Sequence, residues 1–226
     1  LAFIGDEIMY SGPGALANLP EGRAAIRKID IAGGQSEIIH EFVMGDDERI
    51  NFGGVIIGLI PQINMAYDAK KGILYFGRND RYEIHAAEKN GRINKSFGLP
   101  KERTQVTEEE LRDSFAGTRI PADRVEKLIP LLPRKLTFFH RVQVVDGLVY
   151  VFTVDSLESG IGTQYMDIFS RDGKYLYRGK MALPKGDRYR NLDQIALSNG
   201  SLHAILANED GTSRVVKYRV SMPDSK

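Results

Sequence analysis

Apolar and polar residues alternate along most of this chain with a period of two, broken every six to ten residues by a short polar turn. The most regular stretch runs from Thr137 to Pro184. There Thr137–Val145 predicts a strand, Asp146-Gly147 a hairpin turn, and Leu148–Val154 a second strand dense in β-branched and aromatic residues. Tyr165–Ser170 predicts a third strand, Asp172-Gly173 a turn, and Lys174–Leu183 a fourth. The same pattern recurs upstream. Ile63–Tyr67, Ile73–Gly77, Tyr82–Ala87 and Arg92–Phe97 predict four strands, the last two joined at Asn90-Gly91, where positive φ is expected at both turn positions.

The two ends of the chain carry less complete copies. At the front, Leu1–Tyr10 predicts one or two strand pieces broken at Gly5-Asp6, Ser11–Gly22 a Gly/Pro-rich loop, and Ala24–Ile31 and Ser36–Val43 two strands. At the back, Leu192–Leu197, Ser201–Ala207 and Ser213–Val220 predict three strands and no fourth. Residues 101–133 leave the pattern. Thr107 followed by Glu108, Glu109 and Glu110 forms a capping box, because the Thr oxygen can accept from an amide three residues on while Glu110 reaches back. A helix is therefore expected over Glu108–Phe115. Pro121 starts a second over Ala122–Ile129, which Pro130 and Pro133 stop.

A repeat of roughly 40–50 residues made of four antiparallel strands is the pattern of a β-propeller blade, which buries both faces only by stacking on its neighbours. The expected fold is thus all-β, a propeller with blades at about 1–54, 55–100, 137–184 and 191–220 and a two-helix insertion at 101–133. The missing outer strand of the last blade has two readings. Either the chain belongs to a larger ring with about two more blades ahead of Leu1, or Leu1–Ile4 supplies that strand.

Composition narrows the class without naming a function. The 226 residues hold 31 basic and 30 acidic side chains and no cysteine. Near-neutral charge with no like-charged block gives no electrostatic reason to expect a nucleic acid or membrane surface. Without cysteine there are no disulfides, thiol nucleophiles or cysteine–zinc sites. The longest apolar run, Val55–Ile60, is far short of the ~18 residues of a membrane helix.

Candidate chemistry is sparse. The four histidines, His40, His85, His140 and His203, show no local metal-ligand spacing. His140 and Arg141 lie on the first strand of their unit, which in a propeller lines the central channel. Asn64 or Tyr67, and Asp193 or Gln194, hold comparable places in other units. The expected ligand-binding set is therefore His140, Arg141, Asp193 and Asn64, with no catalytic residue, metal or cofactor assigned. Asp46-Asp47-Glu48 and Asp187–Arg190 read as surface loops, and no nucleophile elbow or phosphate loop is present.

The run YEIHAAEKNGRINKSFGLP at 82–100, VTEEE at 106–110, FFHRVQVVDGLVYVF at 138–152 and YMDIFSRDGKYLYRGKMALP at 165–184 together resemble a family of bacterial six-bladed β-propellers related to NHL-repeat proteins. That resemblance implies an extracytoplasmic protein, periplasmic, lipoprotein or secreted. The expected function is a non-catalytic binding or scaffolding module for a protein, peptide or saccharide, with possible self-association through open blade edges. The alternative is a metal-dependent propeller enzyme, a lyase, lactonase or hydrolase, with its site in the channel.

Overall fold

The computed structural model describes residues 2–4, 7–13, 23–30, 32, 36–43, 58–116, 120–157, 163–182, 188–189, 195–198, 200–208 and 210–220. Four antiparallel sheets follow one another along the chain. The first contains β1 (Ala2–Ile4), β2 (Glu7–Pro13), β3 (Arg23–Asp30) and β4 (Ser36–Val43), in that order. The second contains β5 (Ile63–Asp68), β6 (Ile73–Arg78), β7 (Glu83–Glu88) and β8 (Ile93–Gly98). The helices α1 (Glu108–Ser114) and α2 (Ala122–Leu128) come next, with a 3-10 turn at Ile129–Leu131. The third sheet is β9 (Phe139–Val145), β10 (Leu148–Thr153), β11 (Thr163–Ser170) and β12 (Tyr175–Ala182). The fourth is β13 (Arg188–Tyr189), β14 (Ile195–Ser198), β15 (Ser201–Ala207) and β16 (Ser213–Arg219).

The leading strands of successive sheets lie beside one another, β1 against β5, β5 against β9 and β9 against β14. Each sheet then runs outward as a meander and packs face to face on the next. This is a β-propeller arrangement. Strand β10 shows why its sequence is apolar throughout. Val149 and Val151 enter the core shared with the second sheet, while Tyr150 and Phe152 enter the core shared with the fourth. Strand β6 divides likewise, with Leu74 and Phe76 toward the first sheet and Tyr75 toward the third. A buried side chain of this size contributes about 2 kcal/mol, so a strand buried on both faces needs both neighbouring sheets.

Three details differ from the sequence reading. Strand β2 continues through Ser11, Gly12 and Pro13, which pair with Ile26, Ala25 and Ala24. The first sheet is therefore a complete four-stranded unit, because the pairing partner overrides the loop-like composition. Strand β1 pairs with β2 inside that sheet, so it is not spent on the last one. In the fourth sheet Arg188 and Tyr189, which read as part of a loop, form β13. Both β13 and β14 pair with the edge of β15 that β16 leaves open.

Turn chemistry is uneven too. Asp146 and Gly147 both take positive φ, 50° and 79°, as a two-residue hairpin with matching twist demands. At Asn90-Gly91 only Gly91 does, with φ 86°. Asn90 instead accepts a hydrogen bond from the amide of Arg92 at 3.0 Å, so this is a longer turn.

The two ends of the sheets differ in their connections. At one end of the sheets, strands join through two to five residues: 5–6, 31–35, 69–72, 89–92, 146–147, 171–174 and 199–200. The other end carries 79–82 and 208–212, equally short, together with the longest connections, 44–62, 99–138 and 154–162.

Candidate functional site

The end with the long connections is built around the helical insertion. Thr107 caps α1 as expected: its Oγ1 accepts from the Glu110 amide at 3.1 Å, and its own amide donates to Glu110 Oε2 at 2.8 Å. Leu111, Val125, Ile129 and Leu132 pack on Leu59, Val106, Leu136 and Val154, a core separate from those between sheets. The two strands of chain that enter and leave the insertion are stitched together. The Val106 amide donates to Arg134 O at 2.8 Å, the Leu136 amide to Thr104 O at 2.9 Å, and Arg103 donates to Leu136 O and Lys135 O at 2.8 and 2.7 Å. Arg112–Glu126 and Arg134–Glu108, both at 2.7 Å, add surface ion pairs between its parts. The result is a fixed platform with Leu131 56% and Ile120 36% exposed.

Beside it, a charged cluster joins the second and third sheets. Asp167 on β11 is fully buried. It accepts from the Tyr82 hydroxyl at 2.5 Å and from Lys101 Nζ at 2.8 Å, with Arg178 Nη1 at 3.5 Å. Arg178 also donates to Asp155 Oδ1 at 2.6 Å, and Asp155 accepts from Thr153 Oγ1 at 2.9 Å. Burial first, and then the adjacent Asp167 carboxylate, hold the Tyr82 phenol far above its ordinary range. Tyr82 is thus a permanent donor, not a base. Lys101 lies 4.8 Å over the Tyr82 ring and Arg178 4.8 Å over that of Tyr165. At the tight-turn end, Arg171 meets Asp68 at 3.0 Å and Lys70 meets Asp146 at 3.5 Å. The same two sheets are therefore joined by charge at both ends.

The sequence-derived site residues do not form one constellation. His140 starts the inner strand β9, but its side chain turns into the core between the third and fourth sheets, 9% exposed and ringed by Phe152 at 6.0 Å. Gln164 fixes its tautomer. The Gln164 amide nitrogen donates to Thr153 O at 2.9 Å and Tyr165 O at 2.6 Å, which leaves its oxygen for His140 Nε2 at 3.3 Å. His140 therefore donates from Nε2, and among the described residues the buried Nδ1 has no hydrogen-bond partner. Burial holds its pKa down to about 4, so the ring is neutral at pH 7. Arg141 and Asn64 are half-buried. The Asn64 amide reaches Gln62 O at 3.5 Å, not His140. Asp193, Gln194 and Asp46–Glu48 lie outside the described residues, as do Asp187 and Arg190.

Among the described residues, no three His, Asp or Glu side chains converge to hold a metal ion, and no helix is long and apolar enough to cross a membrane. The Tyr82–Lys101–Asp167–Arg178 cluster was not anticipated. Its one trace in the sequence is a carboxylate placed mid-strand in the apolar run YMDIFS.

No family model and no curated relative matches the chain. Solved structures do. A member of the duf4221 family from Bacteroides vulgatus is 10% identical over 86% of this chain and 55% of its own, with a TM-score of 0.47. A protein of unknown function from Bacteroides caccae is 13% identical over 88% and 55%, at 0.37. The WD40 domain of Toxoplasma gondii coronin is 10% identical over 90% and 44%, at 0.35. The chain thus spans about half the length of these structures. At such scores they add no argument, and the fold rests on strand order and inter-sheet packing.

Proposed function

We propose that this protein is a non-catalytic binding or scaffolding module, which holds a protein, peptide or saccharide at the long-connection end of its sheets. The observation that carries this is that the longest connections share one end of the sheets. Loops are where propeller surfaces vary without disturbing the stacked sheets, and here the long ones gather at one end around a stitched platform that exposes Leu131 and Ile120. A preformed platform loses little conformational freedom on binding. The chemistry beside it favours holding over turnover, because Asp167 is already occupied by Tyr82, Lys101 and Arg178.

The same proposal takes the chain as part of a six-bladed ring of the NHL-related bacterial kind, working in the cell envelope or outside the cell. Its support is the set of motifs over 82–184. Self-association along the outer strands belongs to this reading, and concentration-dependent light scattering measures it. A photo-crosslinking residue at 131, compared with one at Lys174 in the tight-turn end, tests the binding face. The expected result is an adduct from 131, suppressed by excess unlabelled chain, and none from 174. Equal adducts at both positions, or none at either, would overturn the proposal.

A further inference from the structure

We infer that the seam between the first and second sheets is an acid-sensitive latch, formed by His40 of β4 and His85 of β7. Their rings lie 5.7 Å apart across the seam. Both pack on Phe76, at 5.0 and 5.3 Å, and His40 also packs on Phe42 at 4.7 Å. This four-ring cluster continues the core of Ile26, Leu74, Phe76 and Ala87 that joins the two sheets. At neutral pH the imidazoles serve as aromatic packing. Once charged, they become two like charges facing each other in a half-dry seam.

The neighbours do little to absorb that charge. The residues paired opposite are Ile26 on β3 for His40, and Phe76 on β6 and Ser96 on β8 for His85. None carries charge. His85 Nδ1 meets Ser96 Oγ at 2.7 Å, and its Nε2 is 3.9 Å from Glu83. The remaining charges felt at the pair are Glu41 on His40 and Arg81 on His85. Glu41 is also held by Arg23 at 2.6 Å. Desolvation comes first in lowering both imidazoles below their ordinary range, and on His40 the facing His85 comes next. The folded chain thus holds fewer protons here than the open one. The latch is closed above the ordinary histidine range and loosens as pH falls through it.

The experiment is a pH titration of the whole chain, following the histidine ring protons by NMR and backbone amides by hydrogen exchange. In the native chain, His40 and His85 should titrate below the free-histidine midpoint. Replacing His85 by Gln should move the His40 midpoint up. An opening that takes up one proton becomes about tenfold more favourable per pH unit. Exchange in β3 and β4, corrected for intrinsic rates, should therefore rise by up to about tenfold per pH unit on acidification, while any rise in β10 and β11, which enclose His140, should be untouched by changes at His40 and His85. H40Q together with H85Q should remove the rise in β3 and β4. A His40 midpoint indifferent to H85Q would overturn the latch. So would exchange in β3 and β4 that does not rise on acidification, a readout the native chain alone supplies even where a variant fails to fold.

Discussion

Replacing His140 by Gln gives the sharpest test of the interior, because its consequence is a slope against pH and not merely a loss of stability. In the unfolded chain this imidazole titrates near 6.5, and in the folded chain near about 4. Its folded pKa is depressed, so over this window the unfolded state binds the extra proton. The stabilisation is complete above about pH 6.5 and is lost as pH falls toward 4, below which the loss levels off. The separation is worth about 3 kcal/mol in full, of which about 2 kcal/mol is gone at pH 5. No solvent discount applies, since the ring is 9% exposed. The structure explains why it resists charging: among the described residues Nδ1 meets no acceptor, so an imidazolium would bury an N–H that none of them receives. Urea unfolding of the native chain and the H140Q variant, from pH 7.5 to 4.5, provides the measurement. Whatever the offset between the two at neutral pH, the stability of the native chain relative to the variant should fall by about 2 kcal/mol between pH 7 and pH 5. His40, His85 and the carboxylates occur in both chains and cancel in that difference. A difference constant across the range would refute the placement of His140 as a buried neutral donor to Gln164.

Other expectations concern single contacts. Asp167→Asn removes the carboxylate shared by Tyr82, Lys101 and Arg178. Breaking a buried pair costs about 3–5 kcal/mol, but the cation side chains are 32% and 34% exposed and can turn to water. The expected loss is therefore about 2 kcal/mol, and a urea midpoint unchanged from the native chain would show the cluster idle. At Gly98, an added Cβ would sit 1.8 Å from Tyr82 O, so Gly98→Ala should cost about 3 kcal/mol. Gly200, at φ 66° with nothing within 4 Å of such a Cβ, should cost only about 1 kcal/mol as Ala. Thermal unfolding that ranks them the other way round would contradict the strand packing. Thr107→Ala removes the cap of α1 and should cost about 1 kcal/mol, seen as faster amide exchange confined to the first turn of that helix.

What the sequence made legible was local in origin. LVYVFTV reads as a strand because each face meets its own core, so no polar position interrupts it. Asp146-Gly147 reads as a hairpin because the backbone needs positive φ at both places, and TEEE reads as a helix start because the cap closes within four residues. Ser11–Pro13 reads as a loop by composition, and only the partner strand at 24–26 makes it β. The first and fourth sheets also show that repeat texture fixes how many units there are more readily than where each strand stops. Arg188 and Tyr189 read as loop by composition, and only their pairing with Ala207 and Leu206 makes them β13.

The site was harder to read for a related reason. His140 was singled out because it stands on an inner strand, and β9 is one. Period two then leaves its direction undetermined, and the register shift between Phe152 and Thr153 lies opposite it. The side chain consequently ends against Gln164 inside the core. The cluster on Asp167 draws Tyr82 and Lys101 from 85 and 66 residues away, so no spacing rule could assemble it. Both cases follow from the stacked-sheet design. When a sheet face is covered by the next sheet, a polar residue inside a strand is satisfied within its own sheet, as His140 is by Gln164, or from a neighbouring one, as Asp167 is by Tyr82 and Lys101. Asp167 therefore marks a place where two sheets are tied together. The partner contacts proposed on the long connections would face no such competition from a neighbouring sheet.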